Sequence, residues 1–148
     1  MRENLNVSID WTEKLQFTAT NNKTDAEIII AVENPDKTAK ITGTKPKHVF
    51  LQGLAGCSGG AIIFLLQKMR AEMPTKFSMD ISGKLTTEHP MYFETIDMTF
   101  NFEGNTDVKM IKKAVQMSEE QYCGLSYMLR SMAKFNIKIL LNGAIVEK

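Results

Sequence analysis

The sequence predicts an α+β fold in a single domain spanning residues 1–148, with the element order βββ, α, ββ, αα, β. Three observations carry this. Apolar and polar residues alternate through the first third of the chain, a helical period takes over at Pro46, and alternation returns in two runs between Phe77 and Phe102. At 148 residues and 43% hydrophobic content, the chain has the length of one domain and enough apolar mass for a sizeable core.

In the first run, Leu5, Val7, Ile9 and Trp11 alternate with polar residues, and after a short polar turn Leu15 and Phe17 mark a second strand. "NNKTD" is a turn, "EIIIAV" from Glu27 to Val32 is a compact β-branched strand, and "ENPDKT" ends it with a proline and turn-forming side chains. Pro46 suits a helix start and Pro74 its limit, with Phe50, Leu54, Ala61, Leu65 and Met69 recurring on one side.

Within that helix, "GLAGCSGGA" from Gly53 to Ala61 packs four of the nine glycines around Cys57. Each interior glycine costs a helix about 1 kcal/mol relative to alanine, so the missing side chains must be offset by close approach. Gly53, Gly56 and Gly60 share one face, flanked by Cys57 and Ala61, and this groove lets a second long helix or the backbone come close; the other helix expected to be of similar length carries Cys123.

Phe77, Met79, Ile81 and Leu85 form the next strand, "EHPMY" the turn after it, and Ile96, Met98, Phe100 and Phe102 the strand that follows. A helix is expected from about Asp107 to Met117, and another from Ser118, where "SEEQ" has Ser118 and Gln121 at the positions of a capping box and Glu119 and Glu120 in the first turn. Ile137, Ile139 and Leu141 close the chain as a last strand. No repeat, low-complexity tract or linker interrupts it.

Eighteen basic and 17 acidic side chains give a formal net charge of +1, so neither nucleic acid nor an anionic membrane is an expected partner. "MRENLNVSID" lacks the apolar core of a secretory signal, and no apolar run is expected to reach the roughly 18 residues that span a bilayer. The expected compartment is the cytoplasm, where two cysteines read as buried thiols or as redox and catalytic groups rather than as a permanent staple.

A peroxide-reducing thiol needs thiolate character, access for a small hydroperoxide, and a second thiol to close a disulfide on the sulfenic acid. Cys57 and Cys123 are the candidates; the plainer alternative is that both pack as small hydrophobes. Cys123 sits in the second turn after Ser118, where a helix field has faded. His89 beside Glu88 has no partners at zinc-ligand spacing, and the ten methionines suit core filling. "GCSGG" lacks the lysine and hydroxyl of a phosphate loop, and Ser58 lacks a nucleophile-elbow context.

Three stretches resemble the OsmC/Ohr family of thiol peroxidases: "KPKHVFLQGLAGCSGGAIIFLLQKMR", "GKLTTEHPMYFETIDMTFNFEG" and "AVQMSEEQYCGLSYML", the first and last matching the family's two cysteine helices. The resemblance covers roughly Lys45 to Leu129 and implies an intertwined homodimer, with antiparallel sheets wrapped around long central cysteine helices. It implies Cys57 as the peroxidatic nucleophile and Cys123 as the resolving thiol. It also implies organic hydroperoxides as substrates, a dithiol reductant (lipoyl groups in some members), and no metal or bound cofactor.

The chain departs from the family at one point. Members commonly carry a glutamate after the proline that opens the helix, and an arginine that it holds near the thiolate. Here Lys47 and His48 follow Pro46, and the only arginine before Cys57 is Arg2. Either Lys47 or His48 supplies the positive charge, or nothing does and Cys57 reacts slowly. The departure motivates a rival reading, an OsmC-like protein that binds a small molecule or senses redox state without turnover.

Overall fold

The computed structural model describes residues 2–33 and 42–146, in two compact units, residues 1–50 and 51–148. It is α+β, as the periodicities predict. The turn expected over "ENPDKT" falls, after Glu33, outside the described residues.

In the first unit, β1 (Val7–Glu13), β2 (Gln16–Asn21) and β3 (Ile28–Ala31) form an antiparallel sheet in the order β1-β2-β3. The turn between β1 and β2 places Lys14 at φ 46, and Trp11 lies opposite Phe17. Thr44 extends the sheet by a parallel bridge to Ile30. Every residue of β1 is exposed, so alternation here produced a strand whose apolar face, Val7, Ile9 and Trp11, is uncovered in one copy of the chain.

The second unit is built on α1 (Pro46–Lys68), whose first turns belong to the first unit. Leu54, Ser58, Ile62 and Leu65 recur at helical spacing and are buried together with Gly59 and Leu66. This stripe differs from the expected one: Leu54 and Leu65 lie on it, whereas Phe50 is exposed and Ala61 half-buried. α1 is apolar on nearly all sides. Its 23 residues include an 18-residue window of mean hydropathy 1.9, which corrects the expectation that no run reaches spanning length. The buried stripe gives that apolar length a place in the core.

β4 (Lys76–Leu85), β5 (Phe93–Glu103), β6 (Lys134–Leu141) and β7 (Ala144–Val146) form the second sheet, in that order. β4 and β5 pair antiparallel, β6 runs parallel to β5, and β7 returns antiparallel, so this sheet is mixed rather than antiparallel. Ile96, Met98, Phe100 and Phe102 on one face of β5 are buried with Ile139 of β6, and Phe102 stacks on Phe77 at 4.7 Å between ring centres. β7 was not expected. Asn142 and Gly143, at φ 53 and 83, make the two-residue turn that creates it.

Parallel neighbours cannot be joined by a tight turn; a crossover is required. Here it consists of α2 (Val108–Met117), a π-helical turn (Ser118–Tyr122) and α3 (Gly124–Leu129), with Ile111, Ala114 and Val115 of α2 in the core. Asp107 caps α2 by accepting from the Lys109 amide at 2.7 Å. The crossover carries Cys123.

Candidate functional site

The capping box expected at Ser118 does not form. Ser118 has helical φ and ψ, its amide donates to the Ala114 and Val115 carbonyls, and α2 runs into the π-helical turn without a break. The turn closes when the Cys123 amide donates to the Ser118 carbonyl at 2.7 Å, five residues back. Cys123 then leaves the helical region, at φ −89 and ψ 99, and becomes the cap of the short α3: its sulfur accepts from the Ser126 amide at 3.4 Å. The second cysteine thus sits between helical segments rather than on one long helix.

Two buried hydrogen bonds hold this turn against α1. The Ser58 hydroxyl donates to Glu119 Oε1 at 2.6 Å, and the Ser118 hydroxyl donates to the Ser58 carbonyl at 3.0 Å. Ser58 and Ser118 are fully buried and Glu119 is 8% exposed. Arg130, after α3, donates to the Glu119 carbonyl at 3.3 Å and lies over the Tyr127 ring. Glu119, read from the sequence as a residue of a helix's first turn, is instead tied to the residue that follows Cys57. It also lines a cavity of about 350 Å³ with Val115, Ile137, Ile139, Lys112, Gln116 and Glu120.

The consequence is that Cys57 and Cys123 come together. Both are free thiols; Cys57 is half-buried against the core and Cys123 is 1% exposed. Burial is the main reason that the Cys123 thiol is pushed above its ordinary 9.0, with Ser126 drawing it down and neighbouring Cys57 pushing it up. Cys57 therefore lies close enough to Cys123 to add to that upward push. Lys47 and His48 lie in the first turn of α1, more than two turns before Cys57 along the helix.

The glycine face behaves differently from expectation. A Cβ at Gly53, Gly56 or Gly60 would meet nothing within 4 Å, so no described residue fills that groove, and the crossover does not pack there. The close approach is at Gly59, where a Cβ would come within 2.8 Å of Met79 Sδ and 3.4 Å of the Phe77 ring. Reasoning from sequence also missed Ser58, Glu119 and Ser126. A signal existed for Ser58: it stands at helical spacing between Leu54 and Ile62, and a hydroxyl on a core stripe demands a partner.

The OsmC-like protein model matches residues 36–138, and with this fold the chain belongs to the OsmC-like family. It is 28% identical over 131 residues to protein YhfA of Escherichia coli K12, an alignment covering 84% of this chain and 89% of YhfA. A hypothetical protein from Aquifex aeolicus VF5 superposes with a TM-score of 0.83 at 22% identity, covering 95% of this chain and 98% of that one. The organic hydroperoxide resistance protein OhrB of Bacillus subtilis superposes at 0.64 with 18% identity, covering 95% and 98%.

Two outcomes follow. Ser58→Ala strands the Glu119 carboxyl and costs about 1–3 kcal/mol, read as a lowered urea midpoint; an unchanged midpoint contradicts the clamp. The second concerns pH. Because the folded Cys123 holds its proton above 9.0, the unfolded chain loses it first, so stability is intact below about pH 9 and falls as pH rises toward the folded value. The slope from this thiol is at most about 1.4 kcal/mol per pH unit. Cys123→Ala should flatten the alkaline decline in urea unfolding measured from pH 8 to 10.5; an identical decline contradicts a buried, proton-holding thiol.

Proposed function

We propose that this chain is a thiol-dependent peroxidase that reduces organic hydroperoxides, as a single OsmC-like domain in a cytoplasmic homodimer. The observation that carries this reading is the convergence of a half-buried and a fully buried thiol in a chain of the OsmC-like family. Access suits Cys57 to meet the peroxide, and burial suits Cys123 to wait for the product. The name of OhrB, organic hydroperoxide resistance protein, supports the substrate class.

In this scheme the Cys57 thiolate attacks the terminal oxygen of the hydroperoxide. The O–O bond breaks, the alcohol leaves with a proton, and Cys57 becomes the sulfenic acid. Cys123 attacks that sulfur, an S–S bond replaces the S–O bond, and water departs. A small dithiol, of which lipoyl groups are one kind, then restores both thiols by exchange. Lys47 and His48 are the cations the sequence offers to favour the Cys57 thiolate, but at more than two turns along α1 neither reaches Cys57 of its own chain within the roughly 4–6 Å that effect needs.

The homodimer reading rests on uncovered apolar surface: the face of β1, Phe64 on α1, and the open glycine groove. A second copy of the chain is the economical cover for all three.

The test is consumption of cumene hydroperoxide and of hydrogen peroxide by the reduced protein with dithiothreitol. The expected result is dithiol-dependent turnover that favours the organic peroxide and falls at least 100-fold in Cys57→Ser. No turnover in folded, fully reduced protein overturns the peroxidase reading in favour of a binding or redox-sensing role.

A further inference from the structure

Among the described residues, Ser126 Oγ is the buried side-chain atom without a hydrogen-bond partner. Its position makes this informative. Ser126 is 1% exposed, its amide already donates to the Cys123 sulfur at 3.4 Å, and its hydroxyl makes no hydrogen bond in the resting protein although it lies close enough to oppose the upward push of burial on that thiol. A thiol is a weak acceptor that one N–H serves adequately, whereas a thiolate is a full anion that calls for more donors. A buried hydroxyl with no acceptor in the resting protein gains one at the moment when Cys123 loses its proton.

We propose that Ser126 is a catalytic residue of the resolving step: its hydroxyl turns onto the Cys123 sulfur as the thiolate forms and, with its own amide, holds the anion for attack on the Cys57 sulfenic acid. The inference rests on the peroxidase reading and deepens it. Cys123 gives up its proton, its sulfur attacks the Cys57 sulfur, the S–S bond forms as the S–O bond breaks, and the departing hydroxide takes a proton to become water. The hydroperoxide that oxidised Cys57 is the only oxidant needed.

The groups that could titrate nearby are few. Cys57 on α1 acts on Cys123 directly. Glu119, in the preceding turn, is engaged by Ser58, and Arg130 is engaged by the Glu119 carbonyl and the Tyr127 ring. Tyr122 immediately precedes Cys123 and is exposed. The buried hydroxyls of Ser58 and Ser118 are already engaged, donating to Glu119 and to the Ser58 carbonyl. Ser126 is the hydroxyl placed to respond to the anion.

Two measurements decide the matter. In the first, reduced protein receives one equivalent of cumene hydroperoxide and the sulfenic acid is trapped with dimedone at timed intervals and followed by mass. Ser126→Ala should lengthen the lifetime of the Cys57 sulfenic acid about tenfold at pH 7 and shift its pH profile up by about one unit, while Ser126→Thr keeps the original profile. In the second, 13Cβ-cysteine NMR follows the Cys123 titration in Cys57→Ser protein, where Ser126→Ala should raise the midpoint by about one unit.

A merely structural serine predicts otherwise. Deleting a hydroxyl that holds no partner leaves the fold intact and would move neither profile. Equal Cys123 midpoints with and without the hydroxyl overturn the proposal. If the unsubstituted protein forms no sulfenic acid, the peroxidase reading falls, and the NMR titration still decides whether Ser126 holds the anion.

Discussion

The structure of the site depends on one polar contact inside an apolar core, the hydrogen bond from Ser58 to Glu119. The two residues are 61 positions apart, and each gives the other a partner for a buried polar group. With the Ser118 hydroxyl on the Ser58 carbonyl, this pair fixes the crossover against α1 beside Cys57. Apolar packing alone would tolerate small slides and rotations of one element on another. Two directed bonds to one residue do not, and a disulfide tolerates little misplacement of its partners.

The crossover is shaped by the same requirement. A parallel β5–β6 pair needs a long connection, and an uninterrupted helix through it would have carried Cys123 onward in helical geometry. Instead the π-helical turn spends one wide loop of backbone and releases the chain at Cys123 in an extended conformation. The sulfur is then held by a backbone donor from Ser126, with Cys57 as a neighbour. Its burial favours the protonated form, which suits the resolving role proposed for it.

Much of this was legible in the residues, and the exceptions have physical causes. Periodicity located β4 and β5 because one-sided burial writes itself as spacing, whereas β1 alternates although every residue of it is exposed, β3 was legible as a β-branched run, and α1 was located with its buried stripe misplaced. β7 is only Ala144–Val146, too short for alternation, although Asn142-Gly143 is the strongest short hairpin signal and announces it. The capping box at Ser118 misled because the same hydroxyl and carboxylate chemistry served a partner from a distant segment, Ser58, and local pattern cannot show that. The glycine groove was legible as a groove; its occupant was not, since Gly53, Gly56 and Gly60 face open space in a single copy of the chain. The two cysteines were found from their flanking residues, whereas Ser126 gained meaning only from its burial and its missing partner.

The central claim is that the fold brings Cys57 and Cys123 together so that they can form one bond. It is tested most directly by adding one equivalent of cumene hydroperoxide to reduced protein and mapping the peptides without reduction. The account predicts a mass loss of about two hydrogens and a single Cys57–Cys123 cross-linked peptide pair within one chain. Cys57 carried to sulfinic acid while Cys123 remains a free thiol, or disulfides formed only between chains, would contradict it.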